Sequence, residues 1–319
     1  MRRIEGPDRP KGRRRVGSFL RECVRDRDKY AMLLPFFVLY GLFTLAPILC
    51  SILLSLTDFN MLSTPHFVWL DNYRKLLLED SVFPTVVKNT LLFALITGPL
   101  SYFLCLIVAW LVNELSPIPR AAMTFLFYAP NIAGNLYVVW SMIFSGDMYG
   151  WANGFLMNLG LINEPVQWLS DPGTNLTIIM IVQLWMSMGA GFLTFIAGLQ
   201  GVNRSLYEAA AIDGIRNRWQ EFIYVTIPTM GPQLLFGAVM QISASFSAGR
   251  ICIELAGNPS TDYSASTLIT HIIDYGTQRY EMGYASAIAT VLFAAMLLCN
   301  QLIRRILRGY TQALSLIHI

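Results

Sequence analysis

Apolar residues in this chain fall into long runs separated by short polar stretches. Six runs stand out, near 31–56, 89–113, 121–144, 174–199, 231–253 and 282–303. About 20 apolar residues in a helix cross the roughly 30 Å hydrocarbon core of a bilayer, and each run is at least that long. The pattern predicts an all-α, polytopic membrane protein with six transmembrane helices. Ten-residue segments of alternating polarity, the signature of a membrane barrel, do not occur. The polar stretches between runs hold about thirty residues or fewer, too short for a typical domain core.

Composition agrees with the pattern. The 319 residues are 55% hydrophobic and 13% charged, against about 25% charge in a soluble domain. Lys and Arg are unevenly placed. Eleven of the 23 lie in residues 1–30, and none lies in the stretch 146–175. Short cytoplasmic segments carry the excess of positive charge, so both termini are expected inside. The stretches holding Arg74, Lys75, Lys88 and Arg279 are then outside, with Arg250 near the outer end of the fifth run. The expected organisation is a basic cytoplasmic tail (1–30), a membrane domain (31–308) and a short C-terminal tail (309–319). The tail reads as a positive-inside anchor near anionic lipid headgroups. Nucleic-acid binding is not expected, because no recognition fold accompanies the charge. The first apolar run is too long for a cleaved leader, and no small-residue cleavage site follows it. The last six residues, LSLIHI (314–319), read as one frame of a sequencing-library adaptor; an amphipathic tail is the alternative. Cys23, Cys50, Cys105, Cys252 and Cys299 form no CxxC pair and read as small hydrophobes.

One polar segment interrupts the apolar pattern with its own helical signals. Ser205-Leu-Tyr-Glu208 has the spacing of a capping box, in which Ser takes an orphan N–H and Glu reaches back to the cap. Ala209, Ala210 and Ala211 would follow as a short helix with a small-residue face. Asp213-Gly214 would end it, since Gly tolerates the left-handed cap conformation. A second turn can start at Asn217, with Gln220 at the box position and Trp219, Phe222, Ile223 and Ile227 at helical spacing. Pro228 suits the first turn of the next helix. The product is a helix–turn–helix on the expected cytoplasmic side, and a plain connector would have the same local signals.

The segment YEAAAIDGIRNRWQEFIYVTIP (207–228) resembles the EAA loop of permease subunits in binding-protein-dependent ABC importers, most closely the sugar-type, maltose-permease-like family. Glu208, Ala209, Ala210, Asp213, Gly214 and Pro228 match, with AGLQ (197–200) just upstream. Ile215 stands where the family has Ala, and the stretch 214–228 is one residue longer than its commonest spacing. Phe67, Leu70, Asp71, Asn72 and Tyr73 match an FVGLDNY-like run of the family, with Trp69 in place of its glycine. WLSDP (168–172) is also family-like. The resemblance runs over about 31–308. It implies a type I importer permease fold and ATPase coupling through Glu208, Ala209, Ala210, Asp213 and Gly214. It also implies a second permease chain, two ATP-binding cassette subunits and an extracytoplasmic solute-binding protein. The setting is the bacterial inner membrane, and the cargo is a carbohydrate such as an oligosaccharide or glycoside.

The chain itself carries no GxxxxGK phosphate-cradling loop. No Asp, Glu, Lys, Arg or His falls in the middle of the six runs, where ion-driven carriers hold such groups. No catalytic, metal or cofactor residues are expected, and ATP hydrolysis is assigned to a partner. An ion-coupled carrier, a permease for a non-sugar solute and a membrane-embedded transferase are the alternatives. For the substrate path, Asn131, Asn135, Gln183, Gln241 and Ser245 are the candidates. Amides and hydroxyls bind sugar hydroxyls, although such groups equally join membrane helices. Pro130 can break the third run and free carbonyls for a polar path, or simply kink it. Arg250 reads as snorkelling to the surface, with the outer mouth of the path as the alternative. Trp69, Trp151 and Trp168 read as membrane-interface residues, with a binding-protein contact as the alternative. Asp71, Glu79, Asp80 and Asp171 read as dispersed and solvated, and His66 and His271 as isolated.

Overall fold

The computed structural model describes residues 27–134 and 136–315, with side chains from 28 to 305. Most of the 1–30 tail, Asn135, Cys23 and residues 316–319 of the suspected adaptor scar lie outside the described residues. Two compact units divide the chain, Met1–Leu53 and Leu54–Ile319. In the first, helix α1 (Asp28–Leu54) contains a π-turn at Gly41–Leu45. Its mean hydropathy of 2.3 qualifies it to span a membrane.

The regular structure among the second unit's described residues is helical, apart from one isolated bridge between Thr57 and Phe67. In order it contains α2 (Asp71–Arg74), α3 (Phe83–Asn113), α4 (Pro117–Ile132), α5 (Tyr137–Ile143), α6 (Trp151–Asn158), α7 (Asn175–Met186) and α8 (Ala190–Gln200). Then come α9 (Arg204–Ile212), α10 (Arg218–Thr229), α11 (Gly231–Phe246), α12 (Gly249–Ala256), α13 (Leu268–Ile273) and α14 (Met282–Ser315). The helices Phe83–Asn113, Asn175–Gln200 and Met282–Arg305 also reach spanning length. The 85° bend between α10 and α11 makes a further, broken candidate.

The six expected spans therefore divide into two kinds. The first, second, fourth and sixth runs give helices of spanning length. The third run, expected at 121–144, is two helices separated at 133–136. Pro130 lies three residues before the break, and its ring crowds the preceding turn while removing a helix donor. Ala133 is already extended, at φ −83° and ψ 91°. The fifth run breaks at 247–248, between α11 and α12.

In the second unit α3 is the central post, packed by α7, α8 and α11. In a membrane there is little hydrophobic gain between helices, so close packing carries association. Small residues provide it. A Cβ at Gly198 of α8 would come within 2.8 Å of Met230 Cε, and one at Gly237 of α11 would run into the Phe195 ring. Phe192 and Phe195 are fully buried at this crossing, with Cys105, Ala109, Leu199 and Leu234 around them.

Polar hubs tie down the loops beyond the helix ends. Asn89 Nδ2 donates to the carbonyls of Tyr263, Ser264 and Ser266, each at 3.0 Å. Asn153 Nδ2 donates to the Ser145, Asp147 and Val166 carbonyls, and its Oδ1 accepts from Trp168 Nε1 at 2.8 Å. Trp168 is thus tied into its loop and packs edge-on to Phe144. Trp69 and Trp151 are largely exposed.

Asp80 is not solvated as the sequence suggested. Its side chain is 4% exposed. Oδ2 accepts from His271 Nε2 at 2.8 Å and Tyr284 OH at 2.7 Å. Oδ1 accepts from the Val82 and Phe83 amides at the start of α3. His271 is therefore partnered. Around the cluster, Lys75 pairs with Glu281 at 2.5 Å and Arg279 with Asp274 at 2.7 Å. One carboxylate thus joins the starts of α3 and α14 to α13.

Candidate functional site

The helix–turn–helix expected at 205–228 forms, from α9 and α10. Its cap differs from the expected one. Asn203, extended at φ −68° and ψ 128°, accepts from the Ser205 amide at 3.1 Å. Only residues 201–203 link α8 to α9, so the helix starts as soon as the chain has turned. Ser205 then lies inside the first turn, and Glu208 is freed from the capping role. Glu208 is exposed and lines a cleft of about 660 Å³ with Trp110, Glu114, Arg120 and Arg218. Ala209 and Ala211 are also exposed, while Ala210 is buried at 7%.

The stop is as expected. Gly214 has φ +96°. Its amide donates to Ala211 O at 3.3 Å, and the Ile215 amide donates to Ala210 O at 3.0 Å. These two bonds are the Schellman closure, which needs a left-handed residue at the position Gly214 holds. A Cβ there would meet nothing within 4 Å, so the backbone conformation alone requires glycine. Asp213 is the C-cap residue. Asn217 caps α10 as expected, accepting from the Gln220 amide at 2.9 Å. The Gln220 side chain returns to the Arg216 amide at 3.1 Å. Pro228 lies in the last turn of α10, and Pro232 takes the first turn of α11.

Contacts that no local pattern reveals fix this hairpin to the membrane helices. Tyr207 OH and Thr226 Oγ1, 2.9 Å apart, join α9 to α10. Trp110 near the end of α3 packs against both Trp219 and Phe222, with centroids 4.9 Å apart in each case. Arg218 bridges Glu221 at 2.7 Å and approaches Glu114 at 3.6 Å. Side-chain contacts thus run from α9 through α10 to α3, the post of the unit.

The candidate path residues divide. Asn131, Gln183 and Gln241 line one cavity of about 450 Å³, together with Tyr137 and Arg250. The break at 133–136 opens onto it, with Ala133 and Gly134 in its wall. Asn131 Nδ2 donates to Met188 O at 2.8 Å, and Gln241 Nε2 to Ser187 O at 3.1 Å. Both amides thus hold the short turn between α7 and α8 while facing the cavity. Ser245 is elsewhere: its Oγ returns to Gln241 O of its own helix at 2.9 Å, and it packs on Gly98. Arg250 is at the cavity rather than merely at the surface. Among the described residues no group of three or more His, Cys, Asp or Glu is arranged to hold a metal ion.

Comparison with known proteins agrees with this geometry. A probable ABC transporter permease, YesP of Bacillus subtilis, is 31% identical over 269 residues, covering 82% of this chain and 84% of its own. The lactose transport system permease LacF of Rhizobium radiobacter is 30% identical over 287 residues, covering 86% and 90%. In structure, the chain resembles one from a bacterial alginate ABC transporter solved with an alginate-bound periplasmic protein. The TM-score is 0.75 at 23% identity, covering 91% of this chain and 97% of that one. Residues 29–312 match the model of the binding-protein-dependent transport system inner membrane component family. The chain belongs to that family, as a multi-pass inner membrane subunit with the type I permease fold.

Proposed function

We propose that this subunit forms half of the membrane path for an oligosaccharide or glycoside and is driven through α9 by a separate ATPase. A second permease chain completes the path, two ATP-binding cassette subunits dock from the cytoplasm, and an extracytoplasmic binding protein delivers the cargo. Both termini are cytoplasmic. The observation that carries the coupling role is the attachment of the α9–α10 hairpin to α3. Glu208 and Ala209 are presented outward on a helix whose far side is bolted to the membrane core. The cavity lined by uncharged amides and Tyr137 supports a hydroxyl-rich cargo, and the named lactose relative points the same way. An ion-coupled carrier is disfavoured because Asn175–Gln200 and Gly231–Phe246 contain no Asp, Glu, Lys, Arg or His.

Gly214→Asp tests the coupling role. It forces a non-glycine residue into a left-handed conformation and adds charge beside the docking helix. Membrane insertion and pairing with the second permease should persist, while co-purification of the ATPase and transport in cells fall together. Normal ATPase binding and normal uptake by this variant would leave the hairpin a plain connector.

A further inference from the structure

We propose that Arg250 sets the charge specificity of the membrane path, and that the path takes an anionic saccharide, one bearing a carboxylate or comparable acidic group. This rests on the carbohydrate reading above and narrows it.

The cavity of about 450 Å³ falls in the size range of ligand sites. Its polar wall is built from neutral amides, Asn131, Gln183 and Gln241, and from one cation, Arg250; no carboxylate lines it. An entering anion would meet attraction without a compensating repulsion from the wall. Arg250 is also placed against its helix's interest. It is the second residue of α12, and the positive end of a helix dipole disfavours a cation there. Its partner within the chain is weak. Glu254 Oε1 is 3.8 Å from Arg250 Nε, and the arginine side chain is 67% exposed. A charge-assisted N–H···O bond is about 2.7–2.9 Å, so the guanidinium fork remains open for a bidentate acceptor. Tyr137 lies 5.9 Å from the guanidinium carbon, giving a flat wall beside the charge. The Gln183 side chain, on the same cavity, makes no hydrogen bond among the described residues, so its amide is also available. A cation flanked by an aromatic face and an open amide matches a sugar ring with an acidic substituent.

The test uses the complete complex, with both permeases, ATPases and binding protein, in proteoliposomes. The probes are oligogalacturonides, alginate oligosaccharides and glucuronoxylo-oligosaccharides, each beside its uncharged methyl ester, with lactose and maltotriose as neutral sugars. Binding-protein affinity is measured separately, because that chain is unaltered. Wild type should move at least one acid and discriminate against its ester. Arg250→Gln should lower uptake of that acid by about 10-fold or more, the usual effect of removing one charged hydrogen bond. Arg250→Lys should recover part of it, and Glu254→Gln should keep or raise it. If wild type moves only neutral sugars, the charge proposal fails and the carbohydrate reading stands. Equal acid uptake by Arg250→Gln also overturns the proposal. So does loss of the complex in that variant, which would make Arg250 an ion-pair partner of the second permease. If wild type moves no saccharide at all, the carbohydrate reading falls and takes this inference with it.

Discussion

Asp80 uses both carboxylate oxygens, and its protonation state is therefore tied to the fold. Burial would raise its carboxyl, but hydrogen bonds from Tyr284 and His271, the nearby imidazole and the Val82 amide bring it below the ordinary 3.8. A carboxylate with a lowered native value contributes stability that is present above its unfolded value and lost as pH falls through the native one. Asp80→Asn in the purified subunit should therefore unfold at lower temperature than wild type at pH 7. Each charged hydrogen bond lost is worth about 1.5–3 kcal/mol. The gap should narrow only below about pH 4, as wild type itself loses the contribution. Thermal unfolding followed across pH checks this, and a gap unchanged to pH 3 would contradict it. Asp80 and His271 are 191 residues apart, so the sequence showed two separate polar residues and gave no sign of their meeting. Trp69 is the opposite case. It stands where the resembled family has glycine, and its φ is +52°, a left-handed conformation that a bulky residue adopts at a cost.

At the level of elements, the crossing of α8 and α11 depends on the absence of side-chain atoms. Gly237→Ala adds one methyl where the buried Phe195 ring already lies, and Phe195 is 0% exposed with no room to retreat. Overpacking of this kind costs about 1–3 kcal/mol. The variant should insert normally but melt at lower temperature, and Phe195→Leu in the same chain should restore part of the loss. If both variants melted with wild type, the crossing would be looser than these contacts show. The breaks at 133–136 and 247–248 are readable only in part. Pro130 marks the first, whereas the second has only Gly249 beside it, in a run that otherwise reads as continuous. The first break opens onto the cavity, and Ala244 and Arg250, on either side of the second break, line it as well.

For the whole molecule, orientation is the property most directly open to experiment. The excess of Lys and Arg in residues 1–30, 200–230 and 304–308, against none in 146–175, predicts that 218 and 309 face the cytoplasm while 147 and 258 face outside. Phosphatase and fluorescent-protein fusions at these four positions should report that alternation. A fusion at 218 active outside would reverse the orientation and remove α9 from reach of any cytoplasmic ATPase.

What the sequence determined by itself is whatever depends on neighbours along the chain. Long apolar runs specify membrane helices because the bilayer forces backbone groups to bond within the segment. The stop at Gly214 and the cap at Asn217 are local geometry, and both were legible. Asn203 could have been found too, as a cap-forming residue directly before the helix, but the Ser205–Glu208 spacing offered a competing local answer. The tertiary structure alone decided which polar residues share a space. It left Ser245 out of the cavity that Gln241 lines and drew Arg250 into it. It paired Asp80 with His271 and Tyr284, and fixed the hairpin to Trp110. These outcomes follow from helix crossings and breaks, in which each side chain's partner is set by packing across the membrane rather than by spacing along the chain.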